Sequence, residues 1–495
     1  MKKVNMASPV VNSAASQVTS TAIEFHSDNP GGVLQLWRLA YPIVISMASY
    51  TFMQFVSRMF LAWYSPDAIA AIVPAGVLTF SFICFFHGVS SFVNVLVAQY
   101  YGSKQYDNMS RTLWSGIYFS LIAGMINLAL IPLGSWIINH SYHSETVKVL
   151  ERQYFIITAM FGGVPILANA FSSYFIGMGR TKITMVINLG GNLLNVLLAY
   201  LLIFGKLNLT AIGIKIPELG IVGAAYAMVI ANIAMLLAFI YMAFINKKIQ
   251  DRFCPQKHYL FDYKNFKKLL KYGLPSGVAL FLEMTSFTTF VFLIGNVDTV
   301  SLAANNIVLS IEMISFMPIL GISIANSTLV GQYIGKKRTE ISRKVCYSAL
   351  KLSVSYCLLL GILFVSFSEF FITFFLVGIS TGTGVGAAVG GVGAIMIQAK
   401  ILLKILAVFI FCDAINNTFG SAIKGAGDTR FYMISYVLVA WLVFIPGVII
   451  VLEYLHLSIE YAWLCSILYL SLLALIFFLR FRSGVWLTHK VIEHV

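Results

Sequence analysis

Charge is scarce in this chain. Asp, Glu, Lys and Arg together supply 11% of its 495 residues, against about 25% in ordinary soluble proteins. That shortage excludes a soluble domain of respectable size. Cysteine is sparse too: Cys84, Cys254, Cys346, Cys357, Cys412 and Cys465 stand singly, with no CxxC pair. That argues against a metal or redox centre, and in an apolar helix a free Cys is simply a small hydrophobe. The eight histidines show no HExxH spacing, and His87 stands alone in an apolar run. With no Walker motif, an ATP-driven pump is excluded. The net charge of +14 comes without a basic run interleaved with aromatics, so no nucleic-acid partner is expected. Residues 1–35 lack an apolar stretch of signal-peptide length and read as a polar tail, with Asp28-Asn29-Pro30-Gly31-Gly32 as punctuation before the first span.

Apolar residues are abundant: 59% of the chain is hydrophobic and the mean hydropathy is +0.86. This is the composition of a polytopic membrane protein whose partner is the lipid bilayer. Runs long enough to cross about 30 Å of hydrocarbon fall near 38–64, 70–99, 112–138, 153–177, 183–205 and 220–245. A second set falls near 272–296, 300–333, 345–377, 395–423, 431–453 and 459–480. The expected organisation is a tail at 1–35, a first lobe at 36–246, a basic linker at 247–271, a second lobe at 272–482 and a tail at 483–495. One set of loops holds Lys104, Arg111, Arg180, Lys182, the linker lysines, Lys336, Lys337, Arg338, Lys424 and Arg430. The opposite loops hold few basic residues, chiefly Lys148, Arg152, Lys206 and Lys215. The basic side is expected to be cytoplasmic, and with it both termini.

The two sets of spans are copies. A shift of 233 residues, which carries Arg38 onto Lys271, also carries Pro42 onto Pro275, Gly88 onto Gly321, Gln99-Tyr100 onto Gln332-Tyr333 and Lys104 onto Lys337. Further on, a shift of 248 carries GMGRTK (177–182) onto GAGDTR (425–430) and Asn169 onto Asn417. The change matches a Gly-rich insertion at 378–394, expected to be an external loop. Six spans per half is an even number, so the halves enter the membrane in the same orientation and are parallel repeats. The expected fold is all-α, twelve transmembrane helices in two parallel six-helix lobes around a central cleft. Such a cleft opens to either side by rocking, which is a transporter's architecture rather than a channel's or an enzyme's. A chain that carries both halves is expected to act as a monomer.

Two acids stand out. Glu283 lies 12 residues past Lys271, about 18 Å into the membrane at helical rise. Asp413 lies 11 residues before Lys424, about 16 Å from the same side. The repeat places Tyr50 and Pro165 at the matching positions of the first half, so scaffold symmetry does not explain the acids. A charge at the centre of a bilayer helix costs about 2.5–3.5 kcal/mol on an insertion scale and points to function by default. Burial and a neighbouring carboxylate both disfavour the charged form, so such a pair takes up a proton or Na⁺ and attracts an organic cation. Ser286, Thr289, Asn416 and Asn417 are candidate supporting groups, and each also has the simpler reading of a helix–helix hydrogen bond. Glu312 on span eight either lines the cavity or pairs locally. Asn188, Asn192 and Asn195 form a polar stripe on span five that faces the cleft or glues helices together.

The stretches HGVSSFVNVLVAQYYG (87–102), GMGRTK (177–182), PELGIVGAAYA (217–227), GLPSGVALFLEMTSF (273–287), AANNIVLS (303–310), MPILGISIANSTLVGQYIG (317–335) and CDAINNTFGSAIKGAGDTR (412–430), in this order and spacing, resemble the multidrug and toxin extrusion family, in particular its NorM-like branch. The resemblance runs from about Arg38 to Arg482. It implies export of cationic amphipathic organic compounds by antiport with Na⁺ or H⁺, with Glu283 and Asp413 in cation coupling, from a plasma membrane such as the bacterial inner membrane. No cofactor is expected beyond the coupling ion. The family commonly carries an acid late in span one, in a stretch like FVSR (55–58), where this chain has Ser57. Coupling is therefore expected to concentrate on the second lobe. A lipid-linked oligosaccharide flippase of the same superfamily is the alternative; it calls for Arg or Lys deep in the cleft, and acids stand there instead.

Overall fold

The computed structural model describes residues 29–205, 208–209, 214–215, 217–246, 255–295, 299–373, 392–489 and 491–493. Most of the expected polar tail, the linker residues Lys247, Lys248 and Arg252, and all but the end of the Gly-rich run 378–394 lie outside the described residues.

The apolar runs fold as long helices. The first lobe holds span one (Val33–Tyr64), span two (Pro66–Gly102), span three (Tyr106–Asn139), a bent span four (Glu145–Met160 and Gly163–Gly177), span five (Thr181–Ile203) and span six (Gly220–Phe244). The second lobe holds spans seven (Tyr263–Gly295), eight (Thr299–Gly335), nine (Thr339–Ser366), ten (Val392–Ala426), eleven (Thr429–Tyr454) and twelve (Ile459–Ser483). Eleven are single helices long and apolar enough to cross a membrane, and the bent pair makes the twelfth. Span four turns by 46° because Pro165, three residues into its second half, has no N–H to give the preceding turn. Span eleven carries two π-helical segments, Ala440–Phe444 and Ile450–Tyr454, on either side of Pro446, the same cause acting inside a helix. Among the described residues the one strand pairing is a two-residue antiparallel hairpin, Asn208–Leu209 with Ile214–Lys215.

Two expected boundaries move. Span one begins at Val33, inside the expected tail, and span seven begins at Tyr263, inside the expected linker. Apolarity alone marks only the membrane-embedded part of a helix. The extra turns of span seven are polar, but Asp262 caps them: its Oδ1 accepts the backbone N–H groups of Lys264 (2.9 Å) and Asn265 (3.2 Å), and an acid there satisfies donors that have no partner within the helix. The tail after span twelve folds back onto the first lobe. Val491 and Ile492 are buried in that lobe's core, and Glu493 ties to Lys264 at 2.8 Å and to Gln105 through its carbonyl.

The core of the first lobe centres on Phe171, Tyr174 and Phe175, and that of the second on Phe290, Trp463 and Phe477, with Leu36, Leu39 and Ile43 of span one packed into the second. The outer surface exposes Leu193, Leu237, Leu442 and Leu475, an arrangement suited to lipid and not to water. The lobes meet where span two crosses span seven and span one crosses span eight. A Cβ on Gly88 would stand 2.7 Å from the Cα of Gly277, and one on Gly321 would stand 2.7 Å from Val44. The 233-residue shift turns the first contact into the second, so the interface has a pseudo-two-fold relation like that of an isologous dimer.

Candidate ion and substrate site

Span seven carries Glu283 two turns beyond Pro275, and span ten carries Asp413 in the run CDAINN. Both side chains turn inward within the second lobe, Asp413 buried and Glu283 half-buried. They stand within electrostatic reach of each other. Glu312 of span eight, half-buried, is likewise within reach of Asp413, so three helices of one lobe turn acids toward a common region. Among the described residues no ion pair forms on any of the three, and no group of three or more His, Cys, Asp or Glu side chains converges as a metal-binding cluster. The acids are arranged around a region, not onto a point.

The supporting residues divide. Asn417 donates from Nδ2 to Asp413 Oδ1 at 2.8 Å, the i,i+4 geometry of one helix face. Asn416, one turn from Asp413, donates to the Tyr436 hydroxyl of span eleven at 2.9 Å; its Oδ1 is buried with no hydrogen-bond partner among the described residues. Ser286 donates to the backbone carbonyl of Glu283 at 2.8 Å and Thr289 to that of Thr285 at 2.9 Å. Both hydroxyls are therefore turned back on their own helix rather than onto the Glu283 carboxylate.

In the first lobe the polar stripe of span five zips onto span one. Asn188 donates to Ser46 (2.7 Å), Asn192 donates to Ser49 (2.8 Å), and Ser57 donates to Asn195 Oδ1 (3.3 Å). Of the stripe's two readings, helix–helix pairing is the one these bonds display, and Ser57 belongs to it. His87 is half-buried in span two, and its carbonyl accepts Asn169 Nδ2 at 3.2 Å.

Four residues around the acids escaped sequence reasoning. Tyr432, Tyr436 and Tyr469 all lie within electrostatic reach of Glu283. Tyr432 stacks on Phe477 with ring centroids 5.3 Å apart, and Tyr436 sits 4.8 Å from Tyr432. These tyrosines put aromatic surface in the neighbourhood of the acids, and aromatic rings attract cations. The i,i+4 spacing of Tyr432 and Tyr436 was the available signal. Lys424, expected in a basic loop, is instead half-buried in the last turn of span ten, within electrostatic reach of Glu283 in its own lobe and of His87 in the other.

Two lobes of six membrane helices with an internal parallel repeat define a multi-pass membrane protein of transporter architecture. The chain belongs to the MatE family, whose model matches residues 42–201 and 275–450, once in each lobe. Among curated relatives, a "Probable multidrug resistance protein NorM" of Photorhabdus laumondii is 27% identical over 83% of this chain and 86% of its own length. A protein of the same name from Thermotoga maritima is 26% identical over 91% of this chain and 92% of its own. Among solved structures, the outward-facing conformation of a multidrug resistance MATE family transporter superposes with a TM-score of 0.81 at 17% identity, over 93% of this chain and 98% of that one. A MOP superfamily transporter from Pyrococcus furiosus superposes with a TM-score of 0.80 at 18% identity, over 92% and 97%.

Proposed function

We propose that this protein is a secondary active efflux transporter that exports cationic amphipathic organic compounds by antiport with Na⁺ or H⁺. The observation that carries this reading is the juxtaposition of Glu283 and Asp413 within one lobe, with no basic group in direct contact. Two carboxylates in a low-dielectric region hold two negative charges only at a high free-energy cost. A proton, a Na⁺ or an organic cation each relieves it, and they compete. Binding the ion on one side and the drug on the other then couples their movements. Oxygen ligands suit a hard cation, and the two carboxylates supply them. The names of the relatives, multidrug resistance proteins, support a broad substrate range, and the aromatic residues near the acids give it a physical basis. By the excess of Lys and Arg, the face with the GMGRTK and GAGDTR loops is assigned to the cytoplasm together with both termini, in a plasma membrane such as the bacterial inner membrane, with the monomer as the working unit.

Ethidium efflux from vesicles under imposed Na⁺ or H⁺ gradients tests this. Glu283→Gln and Asp413→Asn are each expected to abolish gradient-driven efflux while inserting normally. Efflux at the wild-type rate in both variants sinks the reading.

A further inference from the structure

The basic face is closed by bonds that occur in copies. Gln99, at the end of span two, donates from Nε2 to the carbonyl of Gly425 at 3.0 Å. Gln332, at the end of span eight, donates from Nε2 to the carbonyl of Gly177 at 2.8 Å. The 233-residue shift turns Gln99 into Gln332, and the 248-residue shift turns Gly177 into Gly425. The two bonds are therefore one contact made twice, each time from one lobe to the other. Both glutamines are almost fully buried, at 1% and 3% exposure.

The backbone repeats the pattern. A Cβ on Gly102 would stand 2.0 Å from the Gln332 carbonyl oxygen, and one on Gly335 would stand 2.1 Å from that of Gln99, so only glycine allows this approach. Tyr100 donates to Asn265 at 3.1 Å and its counterpart Tyr333 donates to Gln35 at 2.9 Å, again across the lobes. A Cβ on Gly331 would stand 3.1 Å from the Cβ of Ala98, its own counterpart, which puts that approach on the pseudo-two-fold axis.

The acceptors are chemically suited to reversible use. Gly177 and Gly425 lie in the last turns of spans four and ten, where helix carbonyls have no partner within the helix. Each glutamine thus caps a helix of the opposite lobe. Once the face parts, water replaces both the donor and the acceptor, so the bond stabilises the closed face without making it permanent.

We propose that Gln99 and Gln332 are the two halves of a single inter-lobe lock that holds the basic face closed, and that both bonds break together each time this face opens. This rests on the alternating-access reading above. The lock has no use for ion chemistry; its role is to set how often the face opens.

The test is labelling of Ala98→Cys by maleimide, read by peptide mass spectrometry so that the natural cysteines remain in place. Gln99→Met and Gln332→Met keep the side-chain length and remove the donor. Each is expected to raise the labelling rate about fivefold, the population change that one ordinary hydrogen bond supports, and the two effects are expected to be equal and to multiply in the double variant. Labelling unchanged in the double variant overturns the lock, as does a response to one glutamine alone. Should Ala98→Cys fail to fold, Thr328→Cys serves as reporter, since Thr328 is buried and donates across the lobes to Asn94 at 3.0 Å. Labelling needs no ion gradient. A wild-type protein without gradient-driven efflux therefore sinks the transport reading alone, whereas unchanged labelling in a protein that does export ethidium sinks the lock alone.

Discussion

Asn417 Nδ2 donates to Asp413 Oδ1 at 2.8 Å and to the Asp413 carbonyl at 3.1 Å. One amide thus holds both the acid's side chain and the backbone that carries it. A hydrogen bond to a charged group contributes about 1.5–3 kcal/mol. The bond stabilises the ionised acid, so Asn417→Ala is expected to tighten the uptake of a coupling proton about tenfold or more, with maximal efflux retained at saturating ion. Ion titration of ethidium efflux checks this. Asn416→Ala, which removes a bond to Tyr436 instead, is expected to raise the substrate concentration for half-maximal efflux more than that of the ion. Identical behaviour of the two variants contradicts the division of labour seen on this helix.

Gly88 and Gly277 bring spans two and seven into backbone contact at the seam between the lobes. A methyl group on Gly88 meets the opposing main chain, which has no flexible side chain to give way. Gly88→Ala is expected to destabilise the protein by about 1–3 kcal/mol through overpacking, and its counterpart Gly321→Ala by less, because Gly321 faces the movable side chain of Val44. Thermal unfolding in detergent, with both variants side by side, measures the asymmetry.

Much of this architecture was legible in the sequence because its causes are local. The spans follow from apolar length, and the lobes follow from the register that turns Gln99-Tyr100 into Gln332-Tyr333. The prominence of Glu283 and Asp413 follows from their rarity in an apolar setting. What escaped depends on rotamer and neighbour. Nothing in the order of residues says that Asn417 turns to Asp413 while Asn416 turns to Tyr436, or that Ser286 and Thr289 donate to their own helix. The span-five stripe was legible as polar, but its partners Ser46, Ser49 and Ser57 come from a helix that only packing brings alongside. Lys424 at the end of a span reads as a solvated loop lysine, whereas in the fold it is half-buried and stands within electrostatic reach of both Glu283 and His87. The start of span seven was missed because a polar helical extension carries no hydropathy signal, only the cap residue Asp262.

Asp428 is the hub of the loop between spans ten and eleven. Its Oδ2 accepts Arg480 Nε at 2.9 Å and Nη2 at 2.8 Å, and its Oδ1 lies 3.3 Å from His489 Nε2. The Arg480 guanidinium also lies 4.5 Å from the Phe431 ring centroid. The matching position of the first lobe is Arg180, so this anchor is peculiar to the second. Breaking a buried pair costs about 3–5 kcal/mol, because the surviving charge is left unmatched; Arg480 retains some solvent contact, which lowers the expected loss for Asp428→Ala to about 2–3 kcal/mol. Asp428→Ala combined with Arg480→Met removes both charges and is expected to recover part of that loss. Unfolding midpoints of the two single variants and the double variant form the cycle that checks it.

Asp262 links the cap of span seven to the first lobe. Besides the two backbone N–H groups that it caps, it accepts Asn265 Nδ2 at 2.9 Å and Arg111 Nη1 at 3.1 Å. Partial burial by itself raises the carboxyl, but the hydrogen bonds from Asn265, Arg111 and Lys264 outweigh it and hold the group below its ordinary value. A carboxyl with a lower folded value contributes stability at pH above its unfolded value, and that contribution is lost as the pH falls through the folded one. Asp262→Ala is therefore expected to be less stable than wild type by about 1 kcal/mol at neutral pH, the usual effect of losing a helix cap. The gap is expected to hold down to about pH 4 and to close below it, where the wild-type carboxyl takes up its proton. Unfolding of both proteins from pH 7 down to the acid limit of the detergent system measures the gap; a gap that stays constant with pH assigns the loss to side-chain packing rather than to the ionised cap.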